Sequence, residues 1–173
     1  MMNDSGVSIR PVAVRDRAML PLLHSQAFAG DGEARLVTAL QDQCDSLVSL
    51  VAELDARVVA HILFSPCHFV PAQDPIVWGL APMAVTPQRQ HSGIGGQLVR
   101  AGLEQCRARG VAAVVVLGHP EYYPRFGFRP ALEFGLRCNY DVPDNAFMAI
   151  ELQPGSLSNT SGVVHYHPLF GDL

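Results

Sequence analysis

Thr86-Pro87-Gln88-Arg89-Gln90-His91-Ser92-Gly93-Ile94-Gly95-Gly96 separates two apolar segments of different period, and the fold class follows from what flanks it. On its C-terminal side Ile94, Leu98, Val99, Leu103 and Cys106 share one face, with Arg100, Glu104, Arg107 and Arg109 elsewhere; this spacing predicts a helix. Gly110 follows as its stop. On the N-terminal side Ile76 to Val85 reads as a strand interrupted by Gly79 and Pro82, a sign of a bulge or an unpaired position. Beyond the helix, Val111 to Leu117 is continuously apolar, as a buried parallel strand is. Strand, glycine turn, helix, strand makes a right-handed crossover with two parallel strands around the turn.

A turn carrying Gly93, Gly95 and Gly96 at a helix start exposes main-chain N–H groups that no earlier helical carbonyl can satisfy. Without a Cβ the backbone can approach an anion closely, and the helix dipole favours negative charge there. This is the physics of a phosphate cradle. A Walker loop would need Gly-Lys-Ser/Thr, but Gly95 is followed by Gly96-Gln97-Leu98. A dinucleotide fingerprint would need glycine at 98, which is Leu98, and would open the first βαβ unit. The bland alternative is that the glycines only let the helix pack closely.

The remainder completes a mixed α/β domain. Val7 to Arg10 suits a first strand; Arg15 to Phe28 reads as a helix with Pro21 as its weak point, and Glu33 to Gln41 as a second helix. Ser46 to Leu54 and Val58 to Phe64 are β-rich runs separated by Asp55-Ala56, a hairpin signal. Pro71 to Pro75 is a loop. A short helix is expected over His119 to Phe126, a strand over Ala146 to Leu152, a polar linker over Gln153 to Gly162, and a last strand over Val163 to Tyr166. The fold expected is one domain over 1–173: a single, mostly antiparallel mixed sheet with one parallel pair and flanking helices.

With 173 residues, 49% hydrophobic and 16% charged, the chain is no disordered segment. Twelve basic and sixteen acidic side chains give a formal net charge of −4, so no overall positive field draws it to nucleic acid or anionic lipid. No apolar run approaches the roughly 18 residues of a membrane span. The start, Met1 to Gly6, has no basic region followed by an apolar stretch, and the four separated cysteines read as reduced thiols; a cytoplasmic location is expected. His165-x-His167 lacks further ligands at metal spacing, and the adjacent Cys67-His68 would point to opposite strand faces, so neither a metal nor a thiol–imidazole pair is expected.

Gln90-x-x-Gly93-x-Gly95 behind a broken strand resembles the pyrophosphate motif of the GNAT superfamily of acyl-coenzyme A-dependent N-acetyltransferases, Arg/Gln-x-x-Gly-x-Gly/Ala. The likeness extends through Leu80 to Val85 before it, and to Tyr123-Pro124-Arg125-Phe126-Gly127-Phe128, similar to the family's tyrosine four residues ahead of a Gly-Phe pair. Gly118-His119-Pro120 through Phe128, with the strand–helix–helix start, looks like the YhbS-like bacterial branch. The resemblance implies a GNAT-like fold whose parallel strands splay into a V-shaped cleft, with acetyl-CoA as co-substrate. It implies that Met83, Ala84 and Val85 pair their main chain with the pantetheine arm. Gln90, His91, Ser92, Gly93, Ile94, Gly95 and Gly96 would surround the pyrophosphate, with Arg89 as an extra phosphate contact or a solvated loop charge.

A lysine-like amine has a pKa of about 10.4, so near pH 7 about one in 10³ is neutral, a cost of about 4–5 kcal/mol. A base or water relay helps, and a phenol of pKa about 10 can protonate the leaving thiolate. The family spacing assigns that acid to Tyr123 over its neighbour Tyr122. His119 is the candidate base, with Glu121 close by; helix capping or a structural role is the competing reading of both. The expected function is acetyl transfer to an amine of a small molecule or peptide by direct attack in a ternary complex. The alternative is a non-catalytic acyl-CoA-binding or sensing domain. An apolar C-terminal strand offers an edge for a homodimer.

Overall fold

The computed structural model describes residues 6–171; Met1 to Ser5, within the start taken above to lack an export signal, lie outside them. In chain order the strands are β1 (Ser8–Pro11), β2 (Val48–Leu54), β3 (Arg57–Pro66), β4 (His68–Val70), β5 (Val77–Val85), β6 (Ala113–Leu117), β7 (Arg129–Pro130), β8 (Leu136–Cys138), β9 (Phe147–Glu151) and β10 (Gly162–His165). The helices are α1 (Leu20–Ala27), α2 (Gly32–Gln43) and α3 (Ile94–Ala108). One sheet has the order β1-β2-β3-β5-β6-β9-β7, and a second the order β4-β10-β8. In the larger sheet β5 and β6 are parallel, while β1–β2, β6–β9 and β7–β9 are antiparallel, the mixed architecture expected of the sequence. The smaller sheet was not anticipated. The chain divides into two compact units, residues 6–63 with 82–102, and residues 64–81 with 103–171.

In the first unit β2 and β3 meet at Asp55-Ala56, both left-handed (φ 51° and 61°), the type I′ geometry that matches strand twist. The helix expected from Arg15 starts only at Leu20. Val14–Asp16 instead forms a 3₁₀ turn whose Asp16 carboxylate accepts from the Ala13 N–H (2.7 Å) and from the Arg10 guanidinium (2.6 and 3.0 Å). Pro21 thereby falls in the first turn of α1, where its missing N–H costs nothing. Leu20 and Leu23 of α1, Val37 of α2, Val51 of β2 and Ala84 of β5 close the core over this face. Through it runs a buried polar chain: Ser49 Oγ lies 2.7 Å from His61 Nε2, and His61 Nδ1 lies 2.8 Å from His24 Nε2.

In the second unit β5 and β6 pair from Val77↔Ala113 to Leu80↔Val116, and β5 continues through Val85 beyond the last of these pairs. Gly79 pairs regularly with Val115, so it is no bulge against β6. It is glycine because a Cβ there would strike the Tyr166 ring and come within 2.9 Å of Cys67 Sγ. The stretch 153–162, expected as a polar linker, is a packed turn. Ser156 Oγ donates to Ala112 O (3.0 Å), Leu157 N donates to Glu151 Oε2 (2.9 Å), and the Leu157 side chain is buried. β10 is not an edge: it pairs antiparallel with β4 and parallel with β8. The edge argument for a homodimer therefore fails, because both ladders of that strand are taken.

Candidate active site

The glycine turn lies in the first unit. Thr86 N donates to Val59 O (2.8 Å), fixing the point where β5 ends, and Pro87–Arg89 makes one 3₁₀ turn closed by Arg89 N to Thr86 O (2.8 Å). Gln90 Nε2 then donates back to Val85 O (3.1 Å), and Ser92 Oγ donates to Arg89 O. Both side chains thus shape the loop. His91 is left-handed (φ 62°), an unusual state for a residue with a Cβ, and is exposed. Gly93 is left-handed as well (φ 85°), with no heavy atom within 4 Å of where its Cβ would stand. Close helix packing therefore does not explain this glycine; backbone conformation and open space do.

Gln97 N is the first in α3 to reach a carbonyl, Gly93 O at 3.1 Å, leaving the N–H groups of Gly93, Ile94, Gly95 and Gly96 without an intrahelical acceptor. The Ile94 side chain is buried, so only its amide can serve a ligand at the turn. Along β5, Ala84 is buried in the core while Met83 and Val85, on the alternate face, are half-buried. Open main-chain donors at a helix start fit a diphosphate, and no lysine or metal cluster is needed for that fit. Among the described residues no group of three or more His, Cys, Asp or Glu could hold a metal ion. His167 Nδ1 accepts from Leu169 N (3.2 Å), while His165 stacks on His68 (centroids 5.1 Å apart).

His119, Tyr122 and Tyr123 lie in the second unit. The short helix expected over His119 to Phe126 is a run of turns ending in a 3₁₀ segment, Tyr123–Phe126. Pro120 and Pro124 remove the donors an α-helix would need, and left-handed Gly127 closes the segment with its N–H on Pro124 O (3.0 Å). The turn sets the two tyrosine rings edge to face, centroids 5.0 Å apart, and exposes them differently. Tyr123 is buried, its ring seated where a Cβ of Gly118 would stand and edge-on to Phe128 (5.7 Å). Burial, with a smaller contribution from Tyr122, pushes its phenol up to about 12. Tyr122 lines an open pocket of about 440 Å³ with His119, Pro120, Glu121 and Arg125. Arg125, quoted above only within the Tyr123–Phe128 motif, lines the same pocket, and its Nε donates to Tyr122 O (2.9 Å).

Burial pushes the thiols of Cys67 and Cys106 upward, that of Cys106 to about 12, so neither is an activated nucleophile. No helix among the described residues is long and apolar enough to cross a membrane.

The profile of the Acetyltransferase (GNAT) family matches residues 17–128, from just after the 3₁₀ turn before α1 to Phe128. The uncharacterized N-acetyltransferase YhbS of Escherichia coli K12 is 36% identical over 157 residues, 90% of this chain and 93% of that protein. The structure of Escherichia coli YhbS in complex with CoA superposes with a TM-score of 0.93 at 33% identity, covering 100% of this chain and 96% of that one. A GNAT family acetyltransferase from Brucella melitensis in complex with acetyl-CoA gives a TM-score of 0.79 at 33% identity over 96% of this chain and 99% of its own. Glycine turn, strand order and overall likeness agree, and the chain belongs to the acetyltransferase (GNAT) family.

Proposed function

We propose that this chain, as one N-acetyltransferase domain, transfers an acetyl group from acetyl-CoA to the amine of a small molecule or peptide by direct attack in a ternary complex. The observation that carries the proposal is the open turn at Gly93, with four amides at the head of α3 that lack intrahelical acceptors. The bound CoA of Escherichia coli YhbS and the bound acetyl-CoA of the Brucella melitensis protein support it.

Acetyl-CoA, when bound, supplies an acetyl group activated as a thioester. The amides of Gly93 to Gly96 hold the diphosphate, with Gln90, His91 and Ser92 shaping the loop around it. The main chain of Met83, Ala84 and Val85 aligns the pantetheine arm, and an N–H there polarises the thioester oxygen. As the nitrogen–carbon bond forms and the carbon–sulfur bond breaks, His119 takes the amine proton, directly or through water, and Tyr123 donates to the departing sulfur. A phenol raised to about 12 stays protonated throughout the neutral range.

Calorimetry with acetyl-CoA, followed by thiol release over a panel of amines, tests the proposal. Heat with acetyl-CoA and turnover of at least one amine is the expected result. Binding with no turnover on any amine would leave an acyl-CoA-binding or sensing domain, and the absence of binding would overturn both.

A further inference from the structure

The buried polar chain of the first unit ends on an atom with nothing to bind. Ser49 Oγ lies 2.7 Å from His61 Nε2 and His61 Nδ1 lies 2.8 Å from His24 Nε2, but His24 Nδ1 is buried without a hydrogen-bond partner among the described residues. Each neutral imidazole carries one N–H, so the chain can run in two directions. If Ser49 donates first, the run ends at Nδ1 in a buried N–H with no acceptor. In the other direction His24 Nε2–H donates to His61 Nδ1, His61 Nε2–H donates to Ser49 Oγ, and only a bare lone pair is left at His24 Nδ1. A buried N–H without an acceptor is the rarer defect, which selects the second direction. The contact between the imidazoles, edge to face at 84°, joins α1 to β3, and the His24 ring also stacks on Phe28 (centroids 6.0 Å apart, 4°).

Little else holds α1. It has eight residues and no side-chain cap at Met19, and left-handed Gly30 follows it (φ 132°). Helices shorter than about 12–15 residues are marginal alone, so α1 depends on its inner face, Leu20, Leu23 and His24. We propose that the His24–His61 contact is a proton-sensitive latch: α1 stays docked while both imidazoles are neutral, and a proton taken up at His24 Nδ1 releases it from β3. That lone pair is the one place on either imidazole where a proton can be added without breaking a hydrogen bond of the chain. The imidazolium so formed has no counter-charge. Asp16, the carboxylate that acts on His61, is committed to Arg10 of β1 and the Ala13 amide. β2 supplies only the Ser49 hydroxyl; β5 and α2 turn Ala84 and Val37 toward this core, while Arg35 and Asp42 of α2 are exposed. A buried, unpaired charge is costly, and water is the remaining partner, reached when α1 lifts. Burial already holds both imidazoles below their ordinary range. The latch does not depend on the acetyl-transfer reading.

The test is native-state hydrogen exchange of the full chain at pH 7.5 and 5.0, with and without low urea, comparing opening constants of α1 and α3 amides after correction for intrinsic exchange. Acid is expected to raise α1 opening about 10-fold or more. At both pH values α1 should open at least about 10-fold more readily than α3 and with a weaker urea dependence, the mark of a local event. Ring-nitrogen shifts of the wild type at pH 7.5 should place the His24 proton on Nε2. The double variant His24→Leu/His61→Leu should open α1 with less than about a twofold change between the two pH values; the wild-type readings stand whether or not that variant folds. Opening constants and urea slopes common to α1 and α3, no acid rise in α1, a His24 proton on Nδ1, or an acid rise that survives in the double variant each overturn the latch.

Discussion

At Gly93 a left-handed backbone and an empty Cβ position occur together, which makes Gly93→Ala an unusually clean probe. The added methyl meets no neighbour, so its cost is conformational, about 1–2 kcal/mol. A change that rebuilds the turn should weaken acetyl-CoA binding by about 10-fold or more while the rest of the protein stays folded, as calorimetry with a parallel melt would show. The two candidate catalytic side chains separate in the same way. Tyr123→Phe should lower kcat by about 10²-fold or more, within the range of a lost general acid, and His119→Ala by less, because His119 is exposed and water can replace it. Similar kcat/KM pH profiles for both variants and the wild type would refute that ordering. Since burial holds the Tyr123 phenol near 12, no alkaline fall in kcat should appear around pH 10. Tyr166 offers a stability test. Its hydroxyl is fully buried without a partner among the described residues, so Tyr166→Phe should raise stability by roughly 1 kcal/mol in urea melts.

Among the elements, α1 and β3 carry a pH dependence that their sequences conceal. Burial drives His24 down to about 4 and His61 down as well, so both are neutral in the fold. Of the groups near this pair, Asp16 opposes the shift of His61, and the two imidazoles oppose each other's protonation. The unfolded chain binds protons below about pH 6.5 and the native one does not, so stability is full above that pH and declines as pH falls toward 4. For His24 alone the loss approaches roughly 3 kcal/mol. Asp16, held near 2 by Arg10, adds a further loss only below about pH 3.8. Urea melts at pH 8, 6 and 5 should show the decline; a flat profile would mean that these imidazoles reach water.

Where local chemistry dominates, the elements were legible. Asp55-Ala56 marked a hairpin, and the apolar face from Ile94 to Cys106 marked α3. They were illegible where one distant contact decides. Leu157 anchors a polar stretch by a single buried side chain, and Gly79 answers to Tyr166, far along the chain. The start of α1 was misplaced because Asp16 spends its carboxylate on Arg10 and the Ala13 amide, a bond no periodicity announces. Of the candidate site, the turn residues could be read from glycine spacing. That Gln90 and Ser92 brace the loop, and that Arg125 is pinned over Tyr122, required side-chain geometry.

On the scale of the whole molecule, ligand and fold are linked. A carrier that binds only the native state at 100 times its Kd should stabilise the protein by about 2.7 kcal/mol, visible as a rise in Tm with acetyl-CoA concentration. Gly93→Ala should blunt that rise; an equal rise in both proteins would place the carrier elsewhere. The central position of β10 has a temporal consequence. Val70 pairs with Val163, about ninety residues further on, so β4 leaves the ribosome long before its neighbour exists. At roughly 5–20 residues per second the wait is on the order of 5–20 seconds, through which a three-residue ladder stands unmatched during synthesis. The small sheet is thus among the last parts of a nascent copy to close, and a stalled translation product would expose it.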